Sequence, residues 1–391
     1  MDRLRQLIEF VLPGNAFYAR KLPPNATKLP LSELPFTTKA ELVADQAAHP
    51  PYGTNHSGPI DQYCRLHQTS GTSTGTPLRW LDTKASWDWL QDCWDFVFDQ
   101  AGVMSSDRLF FPFSFGPFLG FWVAFEASLR RGWFTLPAGG MSSTARLRYL
   151  REHRATVVCC TPTYALHLAE VARQERFDLK SFGVRLLIVA GEPGGQIVGT
   201  RELISEAWNA RVIDHYGLTE MGPVAVEPFD EPGCLMINEN QFIAEIDDGE
   251  LILTNLGRFG SPLIRYRTGD RVKPMPDDGR FLRLDGGILG RTDDMIHLRG
   301  NNLYPSAIEA VIRRFAEVVE FRVTVLAHEA LAVLKVEIEP SADCADSQTL
   351  VESMTSAFRD ELLFRADVRI VPTGTLPRFE MKAKRFHRQN Q

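Results

Sequence analysis

The chain has 391 residues, with 43 basic and 49 acidic side chains and a formal net charge of −6. Its 44% hydrophobic and 10% aromatic content can bury a large core; that excludes an intrinsically disordered chain, and at about 150 residues per domain it allows two or three domains. A mildly acidic balance with no long basic run gives no electrostatic reason for a nucleic-acid or anionic-membrane surface, so neither is expected as a partner.

The stretch Met1 to Leu12 carries Asp2, Arg3, Arg5 and Glu9, which interrupt any signal-peptide apolar core. The cysteines stand at 64, 93, 159, 160, 234 and 344, without a CxxC pair or a dense framework. Free thiols in a reducing compartment, and hence a cytoplasmic location, are the simplest expectation. Leu109 to Leu129 is long enough to span a bilayer, but Pro112, Gly116, Pro117, Gly120 and Glu126 favour a broken strand-turn-helix forming a buried wall. Further on, Ala155 to Cys160 and Val184 to Ala190 read as strands, and Tyr164 to Arg173 and Ile197 to Trp208 as helices. Apolar strands of this kind lie inside a helix-covered sheet. From about 224 to 285 short strands such as Glu250 to Thr254 alternate with turns, which indicates a β-rich subdomain.

Residues from Asp293 onward read as a separate α+β unit. Pro305, Ser306 and Glu309 fit a capping box with its cap at Ser306, and Ile308, Val311, Ile312 and Phe315 share a helical face. Strands follow at Val318 to Leu326 and Leu331 to Glu339, then a helix with Leu350, Met354, Phe358 and Leu362 in register, then Val368 to Val371.

Five segments carry groups suited to chemistry. In Thr69-Ser70-Gly71-Thr72-Ser73-Thr74-Gly75, hydroxyls and backbone NH groups can wrap phosphate oxygens, or the run can be a linker. It lacks the order and the lysine of a Walker A loop. Gly191-Glu192-Pro193 ends a buried strand, where α/β sheets bind ligands. Asp214-His215-Tyr216-Gly217-Leu218-Thr219-Glu220 offers a flat aromatic face, a hydroxyl and a hard oxygen suited to Mg²⁺, or is a plain turn. Asp270 and Arg291 stand in polar turns that suit ribose or phosphate oxygens. Finally, Lys382 lies in a basic tail, a setting more often solvated than catalytic.

In this order the segments resemble the adenylate-forming (acyl-activating) enzyme superfamily, and within it the phenylacetate-CoA ligase group. The likeness runs over nearly the whole chain, from Arg3 to Tyr18 and Leu34 to Lys39, through Cys160 to Leu166, to Gly290 to Glu309 and Lys382. It implies an α/β fold: a large N-terminal domain, 1–292, with helix-covered mixed sheets and a β-rich subdomain, and a small mobile α+β C-terminal domain, 293–391. It implies ATP-dependent conversion of a carboxylic acid to an acyl-adenylate, followed by transfer to CoA with release of AMP and pyrophosphate. An amine or a carrier-protein pantetheine as acceptor is the alternative, and a nucleotide-binding protein without turnover a second. ATP, Mg²⁺ and CoA are the implied cofactors and co-substrates; a homodimer is left open.

The resemblance also assigns roles. Thr69, Ser70, Gly71, Thr72, Ser73, Thr74 and Gly75 would hold the β- and γ-phosphates. Gly191, Glu192, Pro193, Asp214, His215, Tyr216 and Gly217 would enclose the adenine. Thr219 would meet the α-phosphate, Glu220 the Mg²⁺, and Asp270 with Arg291 the ribose. Lys382 would bridge carboxylate and α-phosphate oxygens as charge develops, and Asp293 would be the hinge of a domain swing. Phe113, Phe115, Phe118, Phe121 and Tyr164 would line the acid pocket; Phe121 replaces a glycine of relatives, which favours a compact aromatic or short apolar acid. Three features depart from the group. The Ser70 to Pro77 loop is one residue longer than usual, and Met381 replaces a glycine before the lysine. Only Cys234 remains of a Cys/His set found in some relatives, with Met236 where a histidine would stand, so no zinc is expected.

Overall fold

The structure, a computed structural model, describes residues 2–69, 77–276, 278–298, 301–327, 333–342, 344–362, 364, 366–379 and 382–390. The chain forms two compact units: Met1–Gly140 with Ala155–Cys159 and Ile213–Ile288, and Met141–Arg154 with Cys160–Val212 and Leu289–Gln391. The residues after 288 thus group with two earlier segments.

In the first unit the strand Arg108–Phe111 runs parallel to Phe134–Pro137 and to Val157–Cys160, with Leu109 opposite Val157. Apolar side chains on both of its faces are the reason this strand is buried: Leu109, Phe110 and Phe111 are all fully covered. The expected strand-turn-helix follows, the chain leaving the strand at Phe111 and re-entering a helix at Trp122–Arg130. Among the described residues no helix is long and apolar enough to cross a membrane. An antiparallel run, Arg211–Leu218, Gly222–Val226, Cys234–Ile237 and Arg283–Asp285, stands in that spatial order. The helix Lys84–Gln100 starts on a Thr83 cap and buries Trp87, Leu90, Trp94 and Phe98 at helical spacing. A meander of Phe242–Asp247, Glu250–Asn255 and Tyr266–Arg271 supplies the β-rich part.

In the second unit, Ser143–Glu152, Pro162–Gln174 and Val198–Trp208 are helices and Leu186–Ala190 is a strand, close to the expected spans. Its C-terminal part is a four-stranded sheet in the order Asp367–Ile370, Val333–Pro340, Val318–Ala327, Phe386–Asn390. The helices Pro305–Ile312 and Ser347–Leu362 share its core through Ile308, Ile312, Met354 and Phe358. Each such side chain removed from water contributes on the order of 2 kcal/mol.

Three local expectations change. The helix Pro305–Ile312 has Tyr304 as N-cap, without a side-chain cap bond because tyrosine has no short oxygen to reach the first-turn NH groups, while Pro305 at the first helical position removes one of the donors. Ser306 Oγ instead donates to the Leu289 carbonyl, and Glu309 is buried beside Arg313 and Arg385. The basic tail is not solvated chain throughout: Phe386–Asn390 pairs parallel with the strand from Val318. Finally, the Asp214 to Leu218 segment and Asp270 lie within strands rather than at turns, since both segments are hydrogen-bonded to antiparallel neighbours.

Candidate active site

In the first unit, strand alternation sets the geometry. Along Arg211–Leu218, successive side chains take opposite faces, so His215 and Tyr216 point apart. Tyr216 OH donates to Asp270 Oδ2 at 2.5 Å, and Asp270 is 3% exposed on its own strand. The backbone NH of Asp270 donates to Thr268 Oγ1 at 3.0 Å, which fixes its direction. His215 goes the other way: its ring lies 4.5 Å from that of Trp94, and Nδ1–H donates to the Ala225 carbonyl at 2.8 Å. Burial pushes its pKa down to about 4, so the ring is neutral at physiological pH. Asp214 is held through its NH by Glu227 Oε2 at 3.0 Å.

The strand ends in a turn at Thr219 and Glu220. Arg258 fastens it. Nη1 donates to the Thr219 and Glu220 carbonyls at 2.8 and 3.0 Å, while Nε and Nη2 form a two-pronged pair with Asp82 at 2.7 Å each. Both side chains are 0% exposed. The Glu220 carboxylate is buried, and among the described residues its contacts are long: Tyr266 OH at 3.4 Å and Lys39 Nζ at 3.9 Å. A hard carboxylate oxygen so weakly engaged fits the demands of a divalent cation. Thr69 is pinned at the root of its loop, its NH on the Leu78 carbonyl at 2.9 Å and its Oγ1 accepting from Leu78 NH at 3.0 Å. Ser70, Gly71, Thr72, Ser73, Thr74 and Gly75 lie outside the described residues, as does Met381.

Phe113, Phe115 and Phe121 form one aromatic group, with ring centroids 5.3 Å apart for Phe113 and Phe115 and 6.1 Å for Phe113 and Phe121. Trp94 joins it 6.0 Å from Phe121. Gly120 makes this approach possible, because a Cβ there would stand 2.4 Å from Phe113 Cζ. Phe118 is half-buried in the same loop. Cys234 Sγ donates weakly to the Glu231 carbonyl at 3.5 Å, with Met236 two residues along the strand.

In the second unit, Leu186–Ala190 delivers Gly191, Glu192 and Pro193 at its carboxyl end. Gly191 has φ +95°, and a Cβ there would lie 3.6 Å from Lys382 Cε and 3.7 Å from Thr161 Cγ2, so Lys382 runs directly along this glycine. Glu192 Oε1 accepts from Thr163 NH at 2.9 Å and Oε2 from Ala383 NH at 2.7 Å. Tyr164 is 1% exposed, its hydroxyl bonded to Ser143 Oγ at 3.0 Å and Arg146 Nη1 at 2.6 Å. Arg291 pairs with Asp293 in a two-pronged contact of 2.9 and 3.2 Å within the short helical turn Thr292–Asp294.

A strand-end glycine met by a lysine, beside a carboxylate that holds the NH of the residue after the lysine, is an arrangement for placing a cation. The AMP-binding enzyme family model matches residues 20–242, and that of the AMP-binding enzyme C-terminal domain matches 300–389. The chain belongs to the AMP-binding enzyme family. Among members of this family, it is 27% identical to a phenylacetate-coenzyme A ligase of Pseudomonas putida, over 98% of this chain and 92% of that protein. It is 30% identical to the phenylacetate-coenzyme A ligase of Escherichia coli (strain K12), over 91% of this chain and 84% of that one. The crystal structure of a 2-hydroxyisobutyryl-CoA ligase in the postadenylation state, in complex with R3-HIB-AMP, matches with TM-score 0.92 at 28% identity, over 98% and 88% of the two chains. The same ligase with 2-HIB-AMP and CoA in the thioesterification state matches with TM-score 0.72, also at 28% identity, over 100% and 89%.

Within this AMP-binding enzyme, Arg258 and Asp82 are not legible in the sequence. They are 176 positions apart, and neither sits in a motif. The one available signal was the pair of opposite charges in otherwise apolar surroundings, Trp80-Leu81-Asp82 and Leu256-Gly257-Arg258. Thr163, Glu170, Arg378 and Arg385 are not legible either, because their partners come together only when Pro162–Gln174 packs with the C-terminal segment.

Proposed function

We propose that this AMP-binding enzyme activates a carboxylic acid with ATP to an acyl-adenylate and pyrophosphate, then transfers the acyl group to CoA with release of AMP. The observation that carries this is Lys382 held along Gly191 and Glu192, in a chain that matches CoA ligases from end to end. The full-length relatives are CoA ligases, which favours CoA over an amine or a carrier protein as acceptor.

A carboxylate oxygen attacks the α-phosphorus as its bond to the pyrophosphate oxygen breaks, and negative charge develops on the α-phosphate oxygens and the departing pyrophosphate. Lys382 places its ammonium there, and Thr219 donates its hydroxyl to an α-phosphate oxygen. The loop from Thr69 to Gly75 holds the β- and γ-phosphates, with Thr69 anchoring its root. Asp270, aimed by Thr268 and Tyr216, accepts the ribose hydroxyls, and Arg291 assists there; Gly191 to Pro193 and Asp214 to Gly217 enclose the adenine. Glu220 would hold Mg²⁺, which would neutralise phosphate charge there. In the second half-reaction the CoA sulfur attacks the acyl carbonyl and AMP leaves with the carboxylate-derived oxygen. Residues 293–391 act as a cap that turns about Asp293 between the two steps, in keeping with the two states known for the 2-hydroxyisobutyryl-CoA ligase. Phe113, Phe115, Phe118 and Phe121 select a compact aromatic acid.

The test is acid-dependent exchange of pyrophosphate into ATP across a panel of aromatic and short apolar acids. Exchange should appear with compact aromatic acids, and Lys382→Ala should lower it by roughly 10²- to 10³-fold, the scale of one preorganised electrostatic group. No exchange with any acid would point to a nucleotide-binding protein without turnover; unchanged exchange in Lys382→Ala would remove the lysine from the mechanism.

A further inference from the structure

Among the described residues, the segment that carries Lys382 is held on both sides by the helix Pro162–Gln174 and by the Gly191–Pro193 turn. Before the lysine, Arg378 Nε and Nη2 donate to the two carboxylate oxygens of Glu170 at 3.0 and 3.1 Å. Directly after it, Ala383 NH donates to Glu192 Oε2. Two residues further, Arg385 Nη1 donates to Thr163 Oγ1 at 3.0 Å. Three contacts over positions 378 to 385 leave the lysine backbone little freedom.

Each arginine also has a partner that travels with the C-terminal sheet. Arg378 Nη2 donates to Glu339 Oε2 at 2.8 Å, and Glu339 is fixed by the NH of Gly374 at 3.1 Å. Arg385 makes a two-pronged pair with Glu320 at 2.5 and 3.0 Å, its guanidinium 5.1 Å from the Phe321 ring. If the contacts to Glu170 and Thr163 break, neither guanidinium is left as an unpaired charge, so the large penalty for orphaning a buried cation is avoided. Such contacts can be made and broken repeatedly.

We propose that Glu170 and Thr163 are positioning residues. Through Arg378 and Arg385 they clamp the lysine segment in place for adenylation, and they release it for the CoA step. This rests on the two-step reaction above.

The test uses Glu170→Gln and Thr163→Val, singly and together, in the full chain. Without any substrate, amide hydrogen exchange over 378–390 should rise about tenfold in the double variant, the loss expected for a charge-assisted hydrogen bond of ordinary strength. With substrates, pyrophosphate exchange should fall about tenfold, with little change in KM for ATP. Thioester formation from preformed acyl-adenylate and CoA should stay equal or speed up. Unchanged amide protection overturns the clamp, and so does an equal fall in both half-reactions, which is what a merely structural helix defect would give. A wild-type chain with no acid-dependent exchange would refute the proposed reaction, while the amide exchange would still decide the clamp.

Discussion

Removing Asp82 should separate the stability of the Thr219–Glu220 turn's support from its use in the reaction. Asp82 and Arg258 are both 0% exposed and joined by two contacts of 2.7 Å. Asp82→Ala leaves a guanidinium buried with, among the described residues, the carbonyls of Thr219 and Glu220 as its hydrogen-bond partners, which costs roughly 3–5 kcal/mol, a large share of a typical stability of about 5–15 kcal/mol. Replacing both, as Asp82→Leu with Arg258→Met, removes the orphaned charge and should recover most of that loss, since apolar substitutes for a buried pair are often neutral or better. It does not recover the two hydrogen bonds to the turn. A urea titration followed by fluorescence should therefore show a sharply lowered midpoint for the single variant and a near-normal one for the double. Pyrophosphate exchange, measured where both are folded, should stay down by at least about tenfold in the double variant, because Thr219 and Glu220 are no longer aimed. A double variant with restored stability and full exchange would refute Arg258 as the fastening of the turn; an unshifted midpoint in Asp82→Ala would refute the energetic weight given to the buried pair.

Other expectations follow from the same geometry. His215 is held neutral by burial, with its pKa lowered to about 4; between about pH 6.5 and 4 the unfolded chain binds a proton that the folded chain refuses. Stability should be full above that window and fall by about 3 kcal/mol as pH drops through it. Thermal melts of His215→Phe should show a shallower pH slope; His67, which burial also lowers to about 4, is one contributor to the slope that remains. Phe121→Gly empties the space between Phe113 and Trp94, so the exchange assay should shift its ranking toward bulkier acids, and an unchanged ranking would dissociate this ring from the pocket. Asp293→Pro should keep adenylation and lose thioester formation from preformed adenylate; equal loss of both would argue against a hinge there.

The motifs were readable because each concentrates its chemistry within a few positions. Gly191-Glu192-Pro193 and Asp214 to Glu220 announce themselves locally, and apolar periodicity located Ser347–Leu362 and Leu186–Ala190 to within a few residues. What escaped was set by long-range pairing. Asp270 read as a turn residue and a plain turn was the alternative for the Tyr216 segment, yet each lies in a strand because an antiparallel neighbour, Glu250–Asn255 or Gly222–Val226, completes its ladder. Ser306 and Glu309 had the spacing of a capping box, but the core claimed Glu309 for Arg313 and Arg385 and left the cap to Tyr304. The basic tail looked solvated on charge alone, although its last residues form a strand. Arg258 and Asp82, and the arginines beside Lys382, gain their meaning only from partners that sequence distance conceals.

The most direct test of the acyl-adenylate is an isotope transfer. An acid found active in the exchange panel, labelled with ¹⁸O in both carboxylate oxygens, is incubated with the enzyme, ATP, Mg²⁺ and CoA, and the products are read by mass spectrometry. Attack of the carboxylate on the α-phosphorus predicts one ¹⁸O in AMP and one retained in the acyl-CoA. Label in inorganic phosphate, with ADP as the nucleotide product, would contradict it.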